Sequence, residues 1–197
     1  MDYKRKAKDS FKTKLNLFLF YNIINDIKDI CLLEFVNFRI DRHLVDLYTT
    51  EYWQELKDYQ IKNKEIGIIE QEINKIKDEQ KYEIMQLEKH YVAHFEEIFP
   101  QEKFNRLISV DYCHYCKITK QEIESLGEKH KLRKKNFRGW SLEIDRLDSN
   151  LEYTEKNCVM ACYWCNNAKT DEFSESEFLE IAVAINRIWN KRLNNNN

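Results

Sequence analysis

Glycine and proline are scarce in this sequence, with three glycines and one proline among 197 residues. Because these two residues mark most tight turns, their scarcity predicts long helices and few turns. No excess of positive charge is present either, since the net charge is −2. Any signal for nucleic-acid binding must therefore be local. No apolar run is long enough for a transmembrane helix.

We do not expect a conventional export signal either. The stretch LNLFLFYNII follows a lysine-rich start, but Asn16, Asn22 and Asn25 interrupt it and no small-residue cleavage site follows. Four of the six cysteines form two Cys-x-x-Cys pairs, whereas Cys31 and Cys158 stand alone. Without an export signal, this pattern favours metal binding over disulfides, and we expect a reduced, cytoplasmic protein.

Helical periodicity dominates the chain from about Phe11 to Phe99, and one long helix is predicted from Glu51 to Ile98, ending before Pro100. Its apolar seam must be covered by residues 15–48, as an antiparallel hairpin, or by a second copy of the chain, as a coiled coil. The sequence leaves both open. The seam contains Tyr52, Leu56, Tyr59, Ile66, Ile69, Ile73, Ile76, Ile84, Leu87 and Tyr91.

The texture changes after Pro100, where cysteines, aromatics and a basic loop occur. TKQE at 119–122 has the spacing of a capping box, and Gly127 is predicted to end that helix. Residues 141–145 and 157–161 are predicted strands, followed by a short helix and an amphipathic helix that starts at Ser174 or Ser176. We therefore predict an α+β, mostly helical fold: a helical interaction region at 1–105, then a small domain at 106–197 with a C-terminal helix.

The two Cys-x-x-Cys pairs predict one structural zinc site. Zn²⁺ prefers four tetrahedral ligands, and each pair supplies two thiolates from one tight knuckle. The predicted ligands are Cys113, Cys116, Cys162 and Cys165. A redox role for either pair is the alternative, which the presence of two pairs disfavours. Because 45 residues (117–161) separate the pairs, a further structure must be built between them.

That inserted segment reads strand, loop with a central Asn, strand, helix, which is the order of a ββα-metal unit. The segment at about 108–173 resembles the HNH endonucleases, in particular those held by a four-cysteine zinc, as in phage junction-resolving nucleases and many restriction and mobile-element nucleases. The matching residues are Asp145 at the end of the first strand, Asn157 before the second, and CNNAK at the start of the helix.

The resemblance implies a second metal ion, distinct from zinc. Asp145 and Asn166 would hold Mg²⁺ or Mn²⁺ through oxygen atoms, the ligands that hard ions prefer. The zinc would fix the helix start through Cys165 and so hold Asn166 in place. Asn157 would tie the loop between the strands, although it could be an ordinary turn residue. Lys169 is predicted to contact a phosphate, with a solvated lysine as the alternative.

One position departs from the common family pattern. Arg146 follows Asp145 where many members have a His that activates water, and an arginine cannot accept a proton at ordinary pH. The general base is therefore unassigned among Asp148, His114, His130 and metal-activated water. Arg146 itself is expected to stabilise the phosphate.

A local basic patch lies at 129–138, with six Lys or Arg residues in ten. Beside a nuclease motif, we interpret it as a grip on the nucleic-acid backbone rather than a solvated loop. The predicted contacts are Lys131, Arg133, Lys134, Lys135 and Arg138.

These features predict a metal-dependent HNH endonuclease that cleaves DNA. Two alternatives stay open at this stage: a zinc-braced module that binds nucleic acid without cutting it, and a nuclease effector subunit docked to a larger complex. A homodimer or a partner protein would engage the N-terminal helices, and no membrane association is expected.

Overall fold

The chain folds as two compact units in a computed structural model, which describes residues 2–27, 30–48, 66–132 and 139–194. The first unit comprises Asp2–Ile98 with Asn150–Tyr153, and the second comprises Phe99–Ser149 with Thr154–Asn197. The predicted α+β, mostly helical fold class is confirmed. The proposed split into independently folding domains at 1–105 and 106–197 stays a prediction.

The first unit is helical. Helix α1 (Tyr3–Ile24) is capped by Asp2, whose carboxylate accepts a hydrogen bond from the Lys4 amide at 2.9 Å, so one otherwise unpaired amide of the first turn is satisfied. Its phenylalanines are buried, and it packs against α3 (Arg42–Tyr48), α4 (Ile66–Glu79) and α5 (Lys81–Ala93). The other helices that the structure describes in this unit are α2 (Leu32–Asn37) and α6 (Phe95–Ile98).

The prediction of one continuous helix from Glu51 to Ile98 is wrong over the part that the structure describes. The helix is interrupted at Gln80, between α4 and α5, and again at His94, before α6. The seam residues Ile69, Ile73, Leu87 and Tyr91 are buried within this same unit. The seam residues of the 51–65 segment lie outside the described residues.

The four-residue segment Asn150–Tyr153 belongs to the helical unit although it lies far along the chain. The Tyr153 amide donates to Ser10 Oγ at 3.0 Å, Ser10 Oγ lies 2.8 Å from the Tyr91 hydroxyl, and Tyr91 donates to Glu152 Oε1 at 2.6 Å. Because each hydroxyl can accept one bond and donate the next, all three bonds are compatible. This chain of bonds fixes the segment in the helical unit.

In its described residues, the second unit contains a two-stranded antiparallel sheet and four helices. The strands pair with Leu142 opposite Cys162 and Asp145 opposite Val159. The predicted capping box is confirmed, since Thr119 and Glu122 each accept the other's backbone amide. The elements are α7 (Gln101–Ile108), α8 (Lys120–Glu128), β1 (Leu142–Arg146), β2 (Cys158–Cys162), α9 (Tyr163–Lys169) and α10 (Glu175–Asn194).

Gly127 does not end its helix as predicted. It is buried inside the last turn of α8, and the left-handed residue beyond the helix is His130, with φ 55°. The amide of Lys131 closes that turn by donating to the Leu126 carbonyl at 2.8 Å. The glycine at 127 is explained instead by packing, because the Trp140 ring lies directly against it.

None of the helices in the described ranges is both long and apolar enough to cross a membrane.

Candidate active site

Four cysteine sulfurs meet in the interior of the second unit. Cys113, Cys116, Cys162 and Cys165 are all buried, and their Sγ atoms lie within 4.8 Å of one another. The Sγ atoms of Cys116 and Cys162 are 3.7 Å apart. Zinc–sulfur bonds of about 2.3 Å in a tetrahedron place two sulfurs about 3.8 Å apart, whereas a disulfide requires about 2.0 Å. The predicted residues therefore form one metal-binding cluster.

Each half of the cluster has a local structural cause. In the first knuckle, the Cys113 amide donates to the Ile118 carbonyl, and Lys117 takes φ 62° to reverse the chain. In the second, Cys162 ends β2 and caps α9, where its sulfur accepts the Cys165 amide at 3.4 Å. Helix α10 supports the first knuckle through Asn186, whose amide donates to the Cys116 carbonyl at 2.7 Å. The cluster thereby fixes where α9 begins.

Helix α9 packs on both strands and faces the acidic side of β1. Asn166 donates from Nδ2 to Glu143 Oε2 at 2.9 Å, one residue after the cluster ligand Cys165. Glu143 and Asp145 are two apart on a strand and so share a face. Glu143 was not singled out from the sequence, although this alternation is a signal that could have identified it.

Asp145 lies in a largely enclosed polar setting. Its Oδ2 accepts a 2.6 Å hydrogen bond from the Tyr115 hydroxyl and lies 3.9 Å from Lys169 Nζ. Burial raises the pKa of Asp145 above its usual value, and the bond from Tyr115 and the positive charge of Lys169 only partly oppose this. Burial, and then the bond to Asp145, also raise the pKa of Tyr115.

Lys169 occupies the interior rather than the surface, with only 1% of its area exposed. Its ammonium donates to the Arg146 carbonyl at 3.1 Å and approaches Asp145. The lysine thus joins the end of β1 to the last turn of α9. A phosphate contact by Lys169 stays a prediction, and in this structure its charge faces the carboxyl group.

Asn157 bridges the two ends of the loop between the strands. Its Oδ1 accepts the Asp148 amide and its Nδ2 donates to the Asp148 carbonyl, both at 2.9 Å. The Asn157 carbonyl also accepts the Leu147 amide at 2.8 Å. This is the geometry that a loop-tying residue requires, and its catalytic importance stays a prediction.

The candidates for the general base differ in their surroundings. His114 Nε2 lies 2.6 Å from Glu175 Oε1, and its ring packs edge-on against Tyr115. His130 is exposed at the end of α8, and Asp148 is held through its backbone by Asn157. Arg146 is not a candidate base but the expected phosphate contact; it follows Asp145 at the end of β1, with its carbonyl bonded to Lys169. The roles of Arg146 and of the three candidate bases stay predictions.

Most of the predicted nucleic-acid contacts of the basic patch at 129–138 lie outside the described residues. These are Arg133, Lys134, Lys135 and Arg138. Lys131 is described, and its ammonium donates to the Arg192 carbonyl at 3.0 Å, near the end of α10.

Comparison with known proteins gives one informative match. No protein-family profile and no curated protein matches the chain. Among solved structures, the chain is similar to the rare-cutting HNH restriction endonuclease PacI, at 30% sequence identity. The match covers 52% of this chain and 75% of that one, with a TM-score of 0.40. The assignment rests on identity and coverage and agrees with the four-cysteine cluster, and on this basis the chain belongs to the HNH endonuclease family.

Proposed function

We propose that the protein is a metal-dependent endonuclease that hydrolyses phosphodiester bonds in DNA, with 106–197 as the nuclease domain and the helical region as an interaction module. Zn²⁺ is the proposed ion of the four-cysteine cluster, where it stabilises the fold. DNA is proposed as the substrate because PacI is described as a restriction endonuclease with a mechanism of DNA perturbation.

One arrangement carries the proposal. Asp145 at the end of β1 and Asn166 on α9 lie on packed elements, and the buried cysteine cluster fixes the start of α9. A carboxylate and an amide oxygen suit a hard cation that keeps most of its ligands as water and substrate oxygen. Asp145 and Asn166 would therefore hold Mg²⁺ or Mn²⁺. A bound divalent ion would neutralise charge on the scissile phosphate and the leaving oxygen.

The protein's own groups orient and polarise this centre. Tyr115 and Lys169 both contact Oδ2 of Asp145, which holds the carboxyl group in one orientation. Arg146 supplies a two-pronged donor suited to a phosphate. Water attacks phosphorus, the bond from phosphorus to the 3′ oxygen breaks, and the products carry a 5′-phosphate and a 3′-hydroxyl.

The test is conversion of supercoiled plasmid to nicked and linear forms, with single-stranded and branched DNA and RNA as further substrates. Each is incubated with Mg²⁺, Mn²⁺ or chelator. Asp145→Ala and Asn166→Ala should each reduce the rate by about 100-fold or more, because loss of metal-stabilised charge raises the barrier by several kcal/mol. Asp171→Ala is the matched control, because Asp171 is an exposed carboxylate that follows α9. The Asp171→Ala protein should cut at the wild-type rate.

Zinc content and melting temperature must be unchanged in each variant. Wild-type protein that binds DNA but cuts no substrate with any divalent ion would replace the proposal with the binding-module interpretation. An active Asp145→Ala protein would overturn the role of that residue.

A further inference from the structure

Both proposed ligands of the catalytic ion have one side-chain atom bonded within the protein. Asp145 has its Oδ2 bonded to Tyr115, and Asn166 has its Nδ2 bonded to Glu143. An ion requires oxygen from each residue, so these contacts decide which oxygen is presented. For Asn166 the orientation of the side-chain amide determines whether an ion can bind at all. A reversed amide would present its NH₂ group, which cannot bind a cation.

The bond to Glu143 fixes that choice. A carboxylate only accepts hydrogen bonds, so the Asn166 group facing Glu143 must be the NH₂ donor. The Oδ1 atom of Asn166 then points away from Glu143, and no hydrogen-bond donor contacts it among the residues that the structure describes. Hydrogen bonds from outer residues that orient metal ligands typically change metal affinity by about 10- to 100-fold.

We infer that Glu143 is a positioning residue that holds the Asn166 amide with its oxygen toward the catalytic ion. The inference rests on the proposed function, since it concerns the same ion. Glu143 acts through Asn166 and does not itself bind the ion. It is the strand partner of Ala161, and its place on β1 two residues before Asp145 sets both acidic groups toward α9.

Mn²⁺ affinity of the zinc-loaded full-length protein tests this without requiring cleavage. Glu143→Ala should weaken Mn²⁺ binding by about tenfold or more. Glu143→Gln should bind nearly as wild type, because its amide oxygen still accepts from Asn166 Nδ2. Glu180→Ala on α10 removes the same charge from an exposed site in the same unit and should have no effect.

A double substitution separates positioning from direct binding. If Glu143 acts only through Asn166, the Glu143→Ala, Asn166→Ala protein should bind Mn²⁺ as weakly as Asn166→Ala alone. Equal losses in Glu143→Gln and Glu143→Ala, or additive losses in the double variant, would make Glu143 a ligand and overturn the inference. Unchanged affinity in Glu143→Ala would also overturn it.

Failure of the proposed function gives a different result. If the zinc-loaded wild-type protein binds no Mn²⁺, this result would contradict the proposed catalytic ion site and, with it, the positioning role of Glu143. Wild-type binding that depends on Asn166 but not on Glu143 would contradict the positioning role alone.

Discussion

The indole ring of Trp140 lies so close to Gly127 that a Cβ atom there would come within 2.4 Å of Trp140 Cζ2. Gly127→Ala should therefore destabilise the second unit by about 1–3 kcal/mol, because the half-buried Trp140 ring must move to admit one methyl group. Urea unfolding followed by tryptophan fluorescence measures the loss. Gly127→Ala combined with Trp140→Leu should lose less than the two single changes added together; strict additivity would show that the contact is not the cause.

Removal of the cysteine cluster should unfold the second unit. Structural zinc contributes about 10–16 kcal/mol of apparent binding free energy, comparable to or larger than the whole stability of a typical domain. Purified protein should contain one zinc per chain by elemental analysis, and Cys162→Ser with Cys165→Ser should lose both the metal and the near-ultraviolet circular dichroism.

Cys158→Ser provides the control for that experiment. Cys158 is also buried, but it is not a member of the cluster. It should retain zinc. A folded double variant, or purified protein that contains no zinc, would contradict the assignment.

Arg146→His separates two roles for the residue after Asp145. If Arg146 binds the phosphate, the change should lower cleavage by about tenfold or more, because a two-pronged charged donor is lost. A time course on plasmid at fixed Mg²⁺ gives the rate, and Arg106→His, at an exposed position of α7, controls for loss of positive charge. A faster Arg146→His enzyme would show that the wild type merely lacks a base, since a neutral imidazole accepts a proton near pH 7.

Buried Lys14 should make stability depend on pH in the alkaline range. Burial lowers its pKa below 10.5, with Glu152 only partly compensating. Between the lowered native pKa and 10.5 the unfolded chain binds more protons, so this group contributes stability that rises with pH there. Relative to Lys14→Met, which cannot titrate, the wild type should gain stability from pH 8 toward 10.5. Chemical unfolding at several pH values measures the gap, and a constant gap would contradict the shift.

Asn22 on α1 should be replaceable with a gain in stability. It is 2% exposed, and neither polar atom of its side chain has a hydrogen-bond partner among the described residues. Asn22→Leu removes two unpaired polar atoms at similar volume and should raise the free energy of unfolding by about 1–3 kcal/mol. Asn25→Leu should have the opposite effect, because Asn25 Nδ2 donates to the Tyr21 carbonyl at 2.8 Å. Denaturant titrations of both variants give the two signs.

Local patterns predicted the order of the helices and strands of the second unit from Thr119 onward, whereas helix α7 was not predicted. The predicted bounds of both strands differ from the observed bounds by one residue, and the predicted capping box at Thr119 is present. Both were predictable because alternation and capping depend on residues close in sequence. The spacing of the cysteine pairs likewise predicted the four-cysteine cluster. The prediction for Gly127 was wrong because a glycine is required there by a contact with Trp140, 13 positions away in sequence.

The supporting contacts of the candidate site could not be predicted from local patterns. Glu143 and Asn166 are 23 residues apart, and nothing near either residue specifies their pairing. Lys169 was predicted to contact a phosphate, with a solvated lysine as the alternative, and its burial was not predicted, because lysines are almost never fully buried without a partner. Its partners are the Asp145 carboxyl group and a backbone carbonyl, which only the pairing of β1 with α9 brings together.

The assignment of Asn150–Tyr153 to the helical unit has a consequence for recombination and engineering. Over the residues that the structure describes, the chain passes from one unit to the other three times, at 98–99, 149–150 and 153–154. A chimera joined at a single point near residue 98 would therefore inherit Glu152 and Tyr153 from one parent and Ser10 and Tyr91 from the other. Exchange of the helical unit between homologues would have to include residues 150–153 as well. Such an exchange needs three crossover points, whereas a simple fusion of two modules needs one.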